Sequence, residues 1–132
     1  MEISVRFPGN RKVDAELRGF TIATDQPKGA GGDDSAPTPF EHFLSSIATC
    51  SGIYVLDFCR NRGTPLEHVR LVEKITRNPE THMVTDITIS IELAPDFPDK
   101  YRDSLVRAVD LCTVKKHLMN PPRFAIEAVK AQ

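Results

Sequence analysis

The sequence is short of three things: a surplus of either charge, long apolar runs, and cysteine. Lys and Arg number 17 against 18 Asp and Glu, for a formal net charge of -1. That balance offers no basic excess to neutralise phosphates, so nucleic acid is not an expected partner. No stretch approaches the roughly 18 consecutive apolar residues of a membrane-spanning helix, and Met1 to Phe7 contains no apolar core of a leader peptide. The expectation is a cytoplasmic protein without a membrane partner. Cysteine occurs three times, at Cys50, Cys59 and Cys112, an odd count with no C-x-x-C pair. This supports neither a secreted disulfide framework nor a zinc ribbon, and no metal or other cofactor is expected. In a reducing compartment a disulfide between any two of them would be transient and catalytic rather than structural. Each could also be no more than a small buried hydrophobe.

What is present suits one domain spanning residues 1–132, or a protomer that completes its core by dimerising. Hydrophobic residues make up 40% and charged residues 27%, enough for an ordinary interior. Ile3, Val5 and Phe7, then Phe20 to Thr24, read as strands of a small meander or hairpin punctuated by Phe7-Pro8-Gly9-Asn10. Gln26 to Pro37 holds three glycines, two prolines and two aspartates and reads as a flexible loop. Thr38, Pro39 and Glu41 then form a helix start, with Thr38 as N-cap, proline at the first position and glutamate closing a capping box. The helix should run about 36 Å to Gly63, with an apolar stripe wide enough to be largely buried.

Cys50 falls on the line of Phe43, Ile47 and Tyr54 along this helix. Cys59 is nine positions further, a rotation of about 180°, so Cys50 and Cys59 cannot face one pocket and Cys59 reads as packing. After Gly63, Val69, Leu71 and Ile75 alternate with polar residues, as do Met83, Ile87, Ile89 and Ile91, and Asn78-Pro79-Glu80 lies between the two runs. This predicts an antiparallel hairpin with one face laid on the long helix. A second helix starting near Pro98 should carry Leu105, Ala108, Val109 and Cys112 inward, and Phe124 to Val129 reads as a final strand. The fold class is α+β. If Cys50 and Cys112 meet, they make a two-cysteine redox centre.

At Pro39-Phe40-Glu41 through Ala48-Thr49-Cys50, and again at Cys112-Thr113-Val114, the chain resembles the OsmC/Ohr family, and its element order does so over nearly its whole length. The resemblance implies antiparallel sheets on a long central helix, an intertwined homodimer with sites at its interface, and a thiol-dependent reductase of small organic hydroperoxides. Cys50 would attack and Cys112 resolve, an external dithiol of lipoyl type or similar would reopen the disulfide, and Phe43, Ile47 and Tyr54 would wall the substrate pocket. It also implies an arginine and a glutamate that activate the attacking thiol. Gly9-Asn10-Arg11 matches the arginine stretch and Glu41 can be the glutamate, while Arg18 or Lys28 could supply the charge instead. Phe40 stands where the peroxidase branch usually has an acid, and Thr113 where the family usually has proline. The competing reading is an OsmC-like protein without peroxidase activity that senses redox state or binds a small ligand.

The chemistry asks for these residue types on its own terms. A thiol attacks an O–O bond only as thiolate, which needs a nearby cation or backbone dipole, and the sulfenic acid product needs a second thiol before it oxidises further. Thr113 could cap a short following helix, leaving Cys112 beside backbone N–H groups that favour its thiolate. His42 and His117 stand at spacings that match no metal or Cys-His motif, and the glycines at 29, 31 and 32 fit no nucleotide-binding frame.

Overall fold

The computed structural model describes residues 1–132 as an α+β chain that divides into two compact units, residues 1–46 and residues 47–132. The first unit is built on a meander of β1 (Ser4–Gly9), β2 (Lys12–Leu17) and β3 (Phe20–Ile22), paired antiparallel in the order β1-β2-β3. The β1–β2 register slips between Arg6 and Gly9, and the turn places Gly9 and Asn10 at positive φ, which a glycine and an asparagine tolerate best. Charge pairs tie β1 to β2: Arg6 reaches the buried Asp14 at 2.9 Å and Glu16 at 3.0 Å.

Residues 26–37, which the sequence predicts to be a flexible loop, are tied down. Asp25 is fully buried, and its carboxylate accepts from the N–H of Gln26 at 2.8 Å, the N–H of Ser35 at 3.0 Å and the Ser35 hydroxyl at 2.6 Å. The Ser35 hydroxyl is the strongest influence, and together these donors outweigh burial and hold Asp25 at about 2. Gly32 permits the close approach that follows, since a Cβ there would lie 1.9 Å from the Gln26 carbonyl oxygen. Composition signals a loop but is blind to a carboxylate that organises it.

The long helix α1 (Pro39–Arg62) begins and ends where the sequence predicts. Thr38 N–H donates to Glu41 Oε2 at 2.7 Å and Glu41 N–H to Thr38 Oγ1 at 3.2 Å, the reciprocal capping box. At the other end Gly63 adopts φ 64°, its N–H bonding Arg60 O while Thr64 N–H bonds Cys59 O, a Schellman closure. By length and composition α1 could cross a membrane, yet Ile47, Ser51, Val55, Phe58 and Cys59 on it are buried within the protein.

In the second unit β4 (Arg70–Arg77) and β5 (Val84–Glu92) form the predicted hairpin, with Leu71 opposite Ile91, Glu73 opposite Ile89 and Ile75 opposite Ile87 on one face. Asn78 makes the turn, its side-chain oxygen accepting from the N–H of Glu80 and of Thr81. Met83 precedes β5 and is exposed, so it does not join the apolar face assigned to it from the alternation. The core gathers Val55, Phe58, Cys59, Phe97, Leu105 and Val109, ringed by Tyr54, Leu71, Ile91 and Leu93. The Arg62 guanidinium closes it over the Phe58 ring at 3.7 Å.

Two expectations need correction. The second helix is not continuous: a 3-10 turn at Asp99–Tyr101 leads into α2 (Arg102–Val109), the chain breaks, and α3 (Thr113–Met119) follows. Cys112 sits at the break. Phe124 to Val129 forms no strand, and Phe124, Ile126 and Val129 are exposed. An alternating segment becomes a strand only with an edge to pair with, and alternation cannot reveal whether one is available.

Candidate functional site: a thiol pair at a helix break

The break places Cys112. Leu111 N–H bonds Ala108 O and Cys112 N–H bonds Val109 O, tightening the end of α2, after which Cys112 turns to extended dihedrals (φ -45°, ψ 123°) as N-cap of α3. Its carbonyl accepts the first bond of α3, from Lys116 N–H at 3.0 Å. Cys112 itself, not Thr113, therefore holds the cap position. Thr113 instead meets Tyr54 across from α1, hydroxyl to hydroxyl at 3.2 Å.

This arrangement brings Cys112 beside Cys50. Both thiols are free; Cys50 is half-buried and Cys112 only 1% exposed. Burial, the largest single influence on the Cys112 thiol, pushes its pKa up. The N–H of Lys115, the Cys50 thiol, the N–H of Val114 and the Ser51 hydroxyl together outweigh that, and the net pKa is lowered. The sulfur makes no capping hydrogen bond of normal geometry, so its stabilisation is a sum of close dipoles and not one strong bond. The third cysteine, Cys59, lies in the apolar core with no exposure, on the side of α1 away from Cys50.

Nothing in the sequence singles out Ser51. It is 1% exposed, its hydroxyl lies near the Cys112 thiol, and that hydroxyl completes no hydrogen bond of normal geometry. One serine among several on a helix carries no distinguishing pattern, so only burial and the absent partner mark it. Ser51 also lines a cleft of about 360 Å³ between β5 and α2, walled by Ile87, Ile89, Ile91, Leu105, Val106 and Val109, with Arg102, Asp110 and Lys115 at its polar side. Lys115 is ion-paired with Asp110, and Arg102 with Asp99 at 3.5 Å.

The remaining site candidates are placed as follows. Ile47 is buried on α1, and half-buried Tyr54 lines a separate shallow groove with Asp57, Arg107 and Leu111; neither lines the 360 Å³ cleft. Phe43 belongs to the first unit and packs its ring against Phe40, centroids 5.4 Å apart. Arg11 is exposed in the β1–β2 turn, Arg18 stands over the Phe20 ring, and Lys28 opens a 3-10 turn. Glu41 is engaged in the capping box, and the Thr38 N–H holds its carboxyl below the usual range. His42 Nε2 bonds Ala23 O at 2.9 Å and His117 Nδ1 bonds Thr113 O at 2.7 Å, so both imidazoles have structural partners. No cluster of three or more His, Cys, Asp or Glu is arranged to hold a metal.

The model of the OsmC-like protein family matches residues 32–127, and the chain belongs to that family. Solved structures of the same fold include an osmotic stress induced and detoxification response protein of Psychrobacter arcticus 273-4 (TM-score 0.71, 20% identity, covering 86% of this chain and 85% of that one). An OsmC-like protein of Mycoplasma pneumoniae superposes with TM-score 0.69 at 13% identity, over 91% and 87% of the two chains. An organic hydroperoxide resistance protein of Legionella pneumophila does so with TM-score 0.57 at 13% identity, over 89% and 87%. No curated protein matches the sequence.

Proposed function

We propose that this chain is a thiol-dependent peroxidase that reduces organic hydroperoxides to alcohols through Cys50 and Cys112. The observation that carries the reading is the asymmetric thiol pair: the more accessible Cys50 lies beside a buried Cys112 whose thiolate is favoured by its surroundings. The name of the Legionella relative points the same way.

In this mechanism the Cys50 thiolate attacks the distal peroxide oxygen, the O–O bond breaks, and the alkoxide leaves and takes up a proton as alcohol. Cys50 is then a sulfenic acid. The Cys112 thiolate attacks its sulfur, the S–S bond forms, the S–O bond breaks, and hydroxide leaves as water after gaining a proton. An external dithiol, of lipoyl type in this reading, returns two electrons and two protons and is itself oxidised to a disulfide. It would enter at Cys50, because Cys112 is shielded and its surroundings favour it as the departing thiolate. Arg11 with Glu41 is the proposed activating pair, and Phe43, Ile47 and Tyr54 the proposed walls around Cys50. The working form is a cytoplasmic homodimer; the exposed apolar residues Val5 and Phe7 on β1, and Phe124 and Ile126 near the C-terminus, supply surface for a second copy.

A second reading is favoured by one feature. The 360 Å³ apolar cleft is lined by Ser51 but by neither Cys50 nor Cys112, as suits a protein that binds a small ligand and uses its thiols to sense redox state. Treatment with one equivalent of cumene hydroperoxide and mass mapping separates the two. Under the peroxidase reading the wild type acquires a Cys50–Cys112 disulfide, Cys112→Ser accumulates a sulfenic acid at Cys50, and Cys50→Ser loses turnover. Three unmodified thiols would sink it and leave ligand binding.

A further inference from the structure

Three serines on α1 behave differently. The Ser45 hydroxyl donates to Glu41 O at 2.7 Å and the Ser46 hydroxyl to Phe43 O at 2.6 Å, the usual back-bonding of a helical serine. Ser51 is more deeply buried, at 1% exposure, yet its hydroxyl has no such bond. A buried hydroxyl without a partner is a burden to folding, and alanine would serve the helix better at this point. What the hydroxyl faces is the sulfur of Cys112, on the border between the thiol pair and the apolar cleft.

We infer that Ser51 is a positioning residue for the thiol pair, its hydroxyl orienting the Cys112 sulfur toward Cys50 and donating to it when it carries charge. The inference rests on the two-thiol reading and adds a role to it. With Cys112 protonated, the Ser51 hydroxyl meets only a weak acceptor, which accounts for its incomplete bond; with Cys112 ionised, it gains a charged one. The contact is therefore worth most at the moment Cys112 acts as nucleophile on the Cys50 sulfenic acid. It counts again when the disulfide is reopened and Cys112 leaves as thiolate. Burial of Ser51 keeps water from taking its place. The two N–H groups of Val114 and Lys115 approach the same sulfur, so Ser51 is one donor of a set and its loss should weaken the site without abolishing it.

The test is independent of peroxide. Ultraviolet titration of the thiolate is compared between Cys50→Ser and Cys50→Ser/Ser51→Ala; Cys59 is common to both, so the difference reports Cys112. Ser51→Ala is expected to move the Cys112 midpoint upward by about half a unit or more, the size of one hydrogen bond to a charged sulfur. Ser51→Thr, whose extra methyl has the cleft to enter, is expected to restore it. An unchanged midpoint in Ser51→Ala, or an equal shift in Ser51→Thr, overturns the inference. Disulfide mapping of the wild type after hydroperoxide, run alongside, reports on the peroxidase reading separately, since a titration shift can appear whether or not peroxide is turned over.

Discussion

Residues 1–46 bury Asp14 and Asp25 and no apolar side chain, whereas residues 47–132 bury Val55, Phe58, Cys59, Phe97, Leu105 and Val109 as one core and bury Ser51 and Cys112 of the site as well. The first unit is organised by hydrogen bonds and ion pairs around carboxylates, the second by excluded water. A three-stranded sheet without a buried apolar residue has little of its own to hold it together, while Ile3, Val5, Phe7 and Phe20 stay exposed. The second unit owns its core and places the thiol pair on rigid elements beside it. The lesson is that chemistry needing sub-ångström placement is attached to the part of the chain whose packing is dense.

Breaking the comparison starts in the core. Leu105 is 1% exposed, and Leu105→Ala should cost about 2–5 kcal/mol in chemical denaturation, read as a lower urea midpoint, with loss of Cys50–Cys112 disulfide formation following from the displaced α2. Next in size is Gly32→Ala in the first unit. Its Cβ would lie 1.9 Å from a backbone oxygen that cannot swing away, so a loss of about 2 kcal/mol is expected, with faster proteolysis of residues 26–37. A wild-type denaturation curve for that substitution would show the loop to be looser than its hydrogen bonds indicate.

Acid gives the smallest effect and the sharpest contrast, because the two units respond with opposite sign. Asp25 binds its proton less readily folded, at about 2, than unfolded, at 3.8, so its contribution is whole above 3.8 and is lost as pH falls toward 2. Glu73, on the apolar face of β4 with one carboxylate oxygen unpartnered, is raised by burial and binds its proton more readily folded. Its penalty grows as pH rises from 4.5 through that raised value, and acid relieves it. Urea midpoints across pH 2 to 6 should therefore fall less steeply toward acid in Asp25→Asn, and more steeply in Glu73→Gln, than in the wild type. Parallel curves for all three proteins would show that neither carboxylate contributes.

Much of this fold was legible because its signals are local. Thr38, Pro39 and Glu41 announce the start of α1, Gly63 its end, and the alternation around Leu71 and Ile89 the hairpin, each through bonds made within a few residues. The break at Cys112 was legible only in part: Thr113 suggests the cap of a short following helix, one residue past the Cys112 that holds it. Leu105, Ala108, Val109 and Cys112 recur at helical spacing, and no glycine or proline lies between Lys100 and Asn120 to interrupt them. The buried role of Asp25 was hidden too, because its partners lie across a loop whose composition says only that it is polar.

By itself, then, the sequence determined the α+β class, the limits of the long helix, the hairpin and the candidacy of Cys50 and Cys112, since periodicity and capping depend on neighbours along the chain. Only the tertiary structure decided that Cys112 and not Thr113 caps α3, that its sulfur lies beside Cys50 and the Ser51 hydroxyl, and that residues 124–129 form no strand. Those outcomes depend on which groups meet across dozens of residues, where a hydrogen bond or a shielded thiolate is made by proximity in space and leaves no periodic trace.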